Sequence, residues 1–461
     1  MTSIDVIVES ILRAKLDALV ADMGTALVNT TRCAKISTSH RFACGLLDRD
    51  RQLVALDNPM HLATAGASAR KCVDYYEFAT SGDDVIICND PYGGGSTAHY
   101  FTVVAPIAYE HELVAYAVVQ AHMVDIGGMV MGNYNPGALE LWAEGARFTP
   151  IKIVVDGKVR RDVLDTIVLN SREPDTFRTD IEAMIATATT GGQRLGALIG
   201  EYGLPTLERG MAAAIDYTQR RVRAQLRQIP EGVFRGEATL DQDGHDGTDL
   251  RVRVALSRTG DEVVLDFRES DDQSVGFVNS TPETTHEYAL VPLLALLDES
   301  VLWNDGVLRA VTLQTRRGSV VDPEFPAPTG WSRDHVGYEI FESVAQALAL
   351  ALPQGCGVGY ANRSLVMGVS YAIRVGDVEE QLGVTDFGTF TVSGSPGRPG
   401  GDGWGQPGPA ARGQLPSIEE FEAGVPVQIE RLEYATDSGG PGRSRGGLGT
   451  ETVIRFPAGS D

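Results

Sequence analysis

The side chains able to do chemistry crowd into one stretch of the chain, Gly82 to Pro150. It holds the turn Asn89-Asp90-Pro91-Tyr92-Gly93-Gly94-Gly95, then His99, then an apolar run ending in Gln120-Ala121-His122-Met123-Val124-Asp125-Ile126-Gly127-Gly128, then Glu140 and Glu144. Two imidazoles and several carboxylates therefore stand at the ends of apolar segments beside glycines, where a missing Cβ lets a ligand or a second backbone come close. Histidine plus carboxylate with open positions is the ligand set of a catalytic divalent ion such as zinc, manganese or iron. The same residues support a plainer arrangement, in which His122 and Asp125 satisfy each other and nearby backbone as a buried hydrogen-bonded pair.

The elements that must position these groups show in the periodicity. From Ser3 to Asn29, Val8, Leu12, Leu16, Leu19, Met23 and Leu27 recur three or four apart, which predicts an opening amphipathic helix. Phe42–Leu47, Leu53–Leu56, Val85–Cys88, Phe101–Ile107 and Leu113–Val119 are short apolar runs between turn residues and read as strands, the last apolar enough to be buried on both faces. Thr176–Ile229 reads as helical, with Leu207, Met211, Ile215, Thr218, Val222 and Leu226 on one stripe and Pro230 as the stop. The period then changes to two. Leu250, Val252, Val254 and Leu256 alternate with polar residues, Arg258–Asp261 makes a turn, and Val263, Leu265 and Phe267 alternate back, a hairpin with one wet face. Helical stretches follow at Tyr288–Asp298 and His335–Leu352, and the glycines and prolines of Ser393–Gly413 predict a long irregular loop.

These elements predict a mixed α/β (α+β) fold, a large interlocked subunit of mixed β-sheets flanked by helices. Residues 1–175 form the first helix and the sheet region carrying the site, 176–230 a helical segment, and 231–461 a β-rich region with helices and a Gly-rich C-terminal segment, packed as one body.

Composition narrows the partners. Across 461 residues, 39 Lys and Arg against 62 Asp and Glu give a formal charge of −23, which repels the phosphates of nucleic acids and anionic membranes. With 43% hydrophobic residues and a mean hydropathy of −0.08 the chain has the balance of a folded globular protein. The N-terminal residues lack a signal-peptide pattern, and no run approaches the ~18 apolar residues of a membrane span. Cys33, Cys44, Cys72, Cys88 and Cys356 are odd in number and make no CxxC pair, which points to reduced thiols in a cytoplasmic protein. There is no phosphate-binding Walker loop and no serine-hydrolase elbow, and the glycines of Gly355–Gly359 lack a dinucleotide context. Asp241–Gly247 lacks the glutamate that closes a calcium-binding EF-hand loop and reads as a solvated hairpin turn.

Taken together, several blocks resemble the hydantoinase B/oxoprolinase family, which includes the alpha subunit of acetone carboxylase. They are Arg41-Phe-Ala-Cys-Gly-Leu-Leu-Asp48, Asn58-Pro59-Met60-His61-Leu62, Gly82-Asp83 with Asn89–Gly95, Ala121-His122 with Asp125–Gly128, Glu140–Gly145, Asn170 with Arg172 and Pro174, Asn279, and Thr436–Arg443 with Arg445–Gly449. They keep the family's order from residue 4 to about 455.

The resemblance implies a subunit of an ATP-dependent enzyme that opens cyclic amides such as hydantoins, 5-oxoproline and lactams, or carboxylates ketones of the acetone or acetophenone type. ATP would be used on a separate hydantoinase A-like ATPase subunit, which phosphorylates the small-molecule substrate before it reacts here. A missing Walker loop agrees with that division of labour. The implied reaction centre comprises Asp90, Tyr92, His99, His122, Asp125 and Glu144, with Asp125 or Glu144 as the base for an attacking water in a hydrolase. Two departures stand out. Where relatives read Gly-Gly-Thr-His-Leu-Pro-Asp, and use that His and Asp with a later His as metal ligands, this chain has Thr97 and Tyr100, and only the later ligand remains, as His122. His99 lies two residues from Thr97, on the same face of an extended segment, so the divalent-metal ligands available are His99, His122 and Asp125. The chain also stops soon after Gly446-Gly447-Leu448-Gly449, which leads us to expect a small separate subunit supplying a further C-terminal segment. The altered ligands equally suit a degenerate, non-catalytic scaffold paralogue within such a complex, or a metal hydrolase that needs no ATP. A phosphorylated substrate needs a local positive site in so acidic a chain, and the backbone N–H groups of Gly93–Gly95, Arg147, Arg172 or a bound cation are candidates.

Overall fold

The structure is a computed structural model and describes residues 6–76, 80–245, 249–298, 301–352, 368–375, 378–386, 394–397, 400–405, 417–425 and 427–456. Its centre is a seven-stranded antiparallel sheet in the order β2-β1-β5-β4-β3-β6-β7, built from β1 (Phe42–Asp48), β2 (Leu53–Leu56), β3 (Val85–Cys88), β4 (Tyr100–Tyr109), β5 (Glu112–His122), β6 (Ile151–Val155) and β7 (Lys158–Val159). In β5 the residues alternate between two cores: Tyr116 and Val118 enter one, Ala115, Ala117, Val119 and Ala121 the other. That is why the strand is apolar throughout and lacks the polar alternation of a half-exposed one.

Helices cover both faces. α1 (Val6–Thr30), the short α2 (Ala34–Ser37), α3 (Leu62–Tyr76), α4 (Arg161–Val168), α5 (Pro174–Tyr202) and α6 (Leu204–Leu226) follow in chain order. Leu12, Leu16, Leu19, Met23 and Leu27 of α1 pack with Phe177, Ile181 and Met184 of α5 on one side of the sheet. Each such side chain contributes about 1.5–3 kcal/mol by leaving water. The stripe expected along Leu207–Leu226 is the buried face of α6, and Gly203, at φ 79°, divides the expected single helical stretch into α5 and α6.

On the other face α3 meets a second layer, made of α7 (Pro282–Leu294), α8 (Asp305–Leu308), α9 (Val336–Ala351) and a four-stranded mixed sheet of β8 (Gly232–Leu240), β9 (Leu250–Thr259), β10 (Glu262–Asp266) and β11 (Val311–Gln314) in the order β11-β10-β9-β8. β9 and β10 form the expected hairpin, while β11 joins β10 in parallel. One continuous core runs from Ala43 and Val118 of the large sheet to Val254 and Leu348 of this layer. Two further pairs, β12 (Gly368–Val375) with β13 (Val378–Asp386) and β14 (Gln428–Tyr434) with β15 (Thr450–Arg455), and the short α10 (Ile418–Gly424), complete the described elements.

The fold is thus mixed α/β. Asp243 departs from the expected solvated turn: it is buried and accepts from Ser274 Oγ at 2.7 Å and from the His245 N–H at 3.0 Å, so the segment after β8 is tied to the interior. Cys33, Cys44, Cys72 and Cys88 are buried free thiols. Gly355–Gly359 with Cys356, and much of Ser393–Gly413, lie outside the described residues; the described parts of the latter carry no regular element. Among the described residues no helix is long and apolar enough to cross a membrane.

Candidate functional site

Strand register assembles the site. β5 pairs with β4 so that His122 faces Tyr100 and Gln120 faces Thr102, and with β1 so that Ala121 faces Phe42. The next residue outward is Arg41, whose carbonyl accepts the His122 N–H at 3.0 Å. Side chains two apart share a face. Arg41, His122 and Tyr100 therefore form one row across three strands, and Ala43, Gln120 and Thr102 the row behind it.

The second row anchors a buried polar network. Gln120 Nε2 donates to Thr102 Oγ1 at 3.0 Å, while Gln120 Oε1 lies 2.8 Å from Thr64 Oγ1 and 3.0 Å from His61 Nδ1. Asn58 positions His61: its side chain accepts from the Met60 N–H and donates to the Phe42 carbonyl at 2.7 Å, holding the turn that opens α3. The Thr64 N–H donates to Glu287 Oε1 at 2.8 Å, and Glu287 forms an ion pair with Arg333. Arg333 donates in addition to Ser96 Oγ at 2.7 Å and to the Met60 carbonyl at 3.0 Å, and its guanidinium lies 4.9 Å from the Tyr100 ring centroid.

In the first row His122 touches Tyr100 edge-on, with centroids 5.0 Å apart, and stacks on His99 at 5.2 Å. His122 Nδ1 lies 2.8 Å from the Met123 carbonyl, which assigns the proton to Nδ1 and leaves Nε2 as an acceptor. His99 Nδ1 is 3.3 Å from Thr97 Oγ1, and His99 Nε2 is buried with no hydrogen-bond partner. Burial, then Lys35 and Arg41, hold His99 down at about 3; burial, with Lys35, His99 and Arg41, holds His122 well below the ordinary histidine range. Both imidazoles are neutral at pH 7.

The six expected catalytic residues do not converge on one point. His99 and His122 come together. Asp125 does not join them: its Oδ2 lies 3.1 Å from Arg172 Nη1, and its Oδ1 accepts the backbone N–H groups of Gly127 at 3.0 Å and Arg172 at 2.9 Å. Neither the expected His122–Asp125 pair nor the expected ligand trio forms, because a fully buried carboxylate takes the partner that neutralises its charge. Glu144 is buried beneath the segment before α9, accepting from the Thr329 and Gly330 N–H groups at 3.1 and 2.7 Å; burial outweighs those two donors and pushes its carboxyl up to about 8. Gly128, at φ 86°, permits this, since a Cβ there would come within 2.8 Å of the Glu144 backbone. Asp90 caps the turn Pro91–Gly93 and pairs with Arg147 at 3.4 Å, and Tyr92 donates to the Ala327 carbonyl at 2.7 Å. Burial, then the charge of Glu144, raises the Tyr92 phenol above its usual range.

A divalent metal finds a poor donor set here. A catalytic zinc takes three protein ligands, but among the described residues no three His, Cys, Asp or Glu side chains are grouped to hold an ion. The stacked imidazoles offer two donors, the third ring at the pair is the Tyr100 phenol, and Lys35 and Arg41 add positive charge. The residues present do not fit the metal.

Sequence reasoning passed over the segment Thr329–His335, which ties the site together. Thr329 and Gly330 hold Glu144, Trp331 Nε1 donates to the Asn133 carbonyl at 2.9 Å, Arg333 joins Glu287, Asp334 meets Arg41 at 3.5 Å, and His335 Nε2 lies 3.2 Å from Tyr134 Oη. A signal was present: Gln120 interrupts an apolar run, Glu287 stands directly before another, and Arg333-Asp334-His335 follows Gly330-Trp331 without the spacing of an exposed helix face. A cleft of about 390 Å³ between α5 and the edge of the large sheet, lined by Gly82, Ile107, Ala188 and Gly192, lies on the opposite face and brings only Asp83 and Asp84 as titratable groups.

A layered mixed α/β chain with a stacked histidine pair at the end of its central strands is the class defined by this fold and site. The hydantoinase B/oxoprolinase family model matches residues 5–460, and the chain belongs to that family. The caprolactamase subunit beta of Pseudomonas jessenii is 30% identical over 464 residues, covering 98% of this chain and 78% of the relative. The 5-oxoprolinase of Saccharomyces cerevisiae is 26% identical over 482 residues, 98% of this chain but 36% of that longer protein. Among solved structures, the ATP-dependent caprolactamase from Pseudomonas jessenii superposes with a TM-score of 0.90 at 26% identity, covering 99% of this chain and 79% of that one. Nucleotide-free acetone carboxylase shares the fold, with a TM-score of 0.88 at 16% identity over 97% of this chain and 62% of that one.

Proposed function

We propose that this chain is the reaction-bearing subunit of an ATP-dependent, multi-subunit cyclic amide hydrolase, in which a hydantoinase A-like ATPase subunit activates the substrate. An unstrained amide is a poor electrophile until its oxygen has become a leaving group, so ATP chemistry on one subunit and water attack on another is a coherent division. His122 supplies the base. Its Nδ1–H is committed to the Met123 carbonyl, which leaves Nε2 as the acceptor; burial with Lys35, His99 and Arg41 keeps the free ring unprotonated and a weak base, and the negative charge of an activated substrate would raise its proton affinity. Tyr100 and His99 bracket that ring and fix its direction.

The observation that carries this reading is the oriented, neutral His122 in a chain whose whole length matches a caprolactamase subunit. The test is reconstitution with the ATPase subunit, followed by assay of caprolactam, hydantoin and 5-oxoproline with and without ATP, and of acetone or acetophenone with ATP and bicarbonate. ATP-dependent ring opening is expected. Ring opening by this chain alone without ATP would overturn the proposed division, and bicarbonate-dependent product from the ketones would place the enzyme with the carboxylases instead.

A further inference from the structure

Two thiols that the proposed reaction does not use lie against each other. Cys72 is in α3 and Cys88 ends β3, and the Cys72 sulfhydryl donates to Cys88 Sγ at 3.1 Å. Both belong to the core between the large sheet and the second layer, at 0% and 3% exposure. Cys33, also buried, meets a carbonyl instead, that of His122 at 4.0 Å. Both elements are held in place. Thr64, near the start of α3, is tied to Gln120 and Glu287, and β3 is paired on both sides, with β4 and β6. The turn that follows Cys88 packs on the same helix: a Cβ on Gly94, at φ 93°, would come within 2.8 Å of the Ala67 backbone. A disulfide needs sulfurs about 2.0 Å apart. Closing the 3.1 Å contact to that bond moves each sulfur by roughly half an ångström, a shift within the reach of the side-chain torsions.

We propose that Cys72 and Cys88 form a redox-modification site, a dithiol that an oxidant of the peroxide class closes into a disulfide joining α3 to β3. Cys88, which accepts the hydrogen bond of Cys72, attacks as the thiolate. Its sulfur bonds to one peroxide oxygen, the O–O bond breaks, and hydroxide leaves and takes up a proton as water. The Cys72 sulfur then bonds to the sulfur of the Cys88 sulfenic acid, the S–O bond breaks, and a second water carries away the Cys72 proton. In all, two thiols give up two electrons and two protons, and hydrogen peroxide becomes two waters. Burial makes the first step slow, so the pair stays reduced under mild conditions. The second step is fast because the sulfurs already touch. The hydrogen bond to Cys88, then burial, hold the Cys72 thiol well above its ordinary range, which leaves Cys72 the resolving partner. In the oxidised form a covalent link holds α3 to the residue immediately before Asn89 and Asp90. This site does not depend on the function proposed above.

The test is mass spectrometry of the reduced full chain before and after hydrogen peroxide, with N-ethylmaleimide added in denaturant. All five cysteines should alkylate before oxidation and 5 − 2 = 3 after it, with a peptide carrying Cys72 joined to one carrying Cys88. Dithiothreitol should restore all five. The bridged form should also show a higher urea midpoint, because the link restricts the unfolded chain. Cys72→Ala keeps a small apolar side chain in the helix; it should abolish the bridge and the rise in midpoint, and leave Cys88 as a sulfenic acid that dimedone traps. Cys88→Ala is the second variant, and the peptide map of the unsubstituted chain decides the matter if neither folds. Five alkylatable thiols after peroxide would overturn the site. So would a bridge through Cys33, Cys44 or Cys356 in place of this one, or Cys88 oxidised to sulfinic acid beside an untouched Cys72.

Discussion

His99 and His122 stack with ring centroids 5.2 Å apart and planes 18° from parallel, although one precedes β4 and the other ends β5. The Met123 N–H donates to the His99 carbonyl at 2.9 Å and continues the β4–β5 ladder one step past the strands. The pair therefore sits on sheet backbone, which holds the rings more firmly than a loop would.

Replacement of His122 by alanine should reduce ATP-dependent turnover of the reconstituted complex by about 10²–10⁴-fold, the usual contribution of a general base. Circular dichroism and assembly with the ATPase subunit should be unchanged. Full activity in this variant would favour a scaffold role for the chain.

Asp125 holds the glycine turn after β5 to the segment before α5 through Arg172. Arg172→Met leaves a fully buried carboxylate without its counter-charge and should cost about 1.5–3 kcal/mol, the range for hydrogen bonds to charged groups. A lower urea midpoint with unchanged slope is the expected result; an unchanged midpoint would assign the pair no structural role.

Glu144 gives a pH signature. Burial pushes its carboxyl from 4.5 up to about 8, so the folded state favours the protonated form. That stabilisation is complete below about pH 4.5, declines as pH rises and is gone above about 8. Relative to Glu144→Gln, the wild-type melting temperature should fall between pH 5 and pH 8. Parallel curves for the two proteins would contradict the assignment.

Glu287 and Arg333 are both buried and form one ion pair. Removing either partner, as in Glu287→Gln or Arg333→Met, should destabilise by about 3–5 kcal/mol because the other charge is left uncompensated. The double variant should lose less than the sum of the two, which a double-mutant cycle in urea measures; strict additivity would show the pair to be uncoupled.

Local pattern carried much of the fold. The stripe Leu207–Leu226 needs only the 3.6-residue period, and the β9–β10 hairpin only the two-residue alternation on either side of Arg258–Asp261. Both signals arise because one face of the element meets a core and the other meets water. The position of Gly203, which ends α5 and begins α6, was less visible because apolar spacing continues through both helices.

What the sequence determined by itself was the mixed α/β class, the apolar β5 and the two histidines at the mouth of its strands. Partnership was decided only by the tertiary structure. Asp125 is three residues from His122 yet turns to Arg172, and Glu144 turns to the Thr329 and Gly330 amides. Lys35 and Arg41 meet at the imidazoles, and Glu287 and Arg333, from distant parts of the chain, at the neighbouring Tyr100. The physical reason is the cost of burying charge. A carboxylate or guanidinium removed from water takes the nearest compensating partner in space, and sequence separation does not enter that energy.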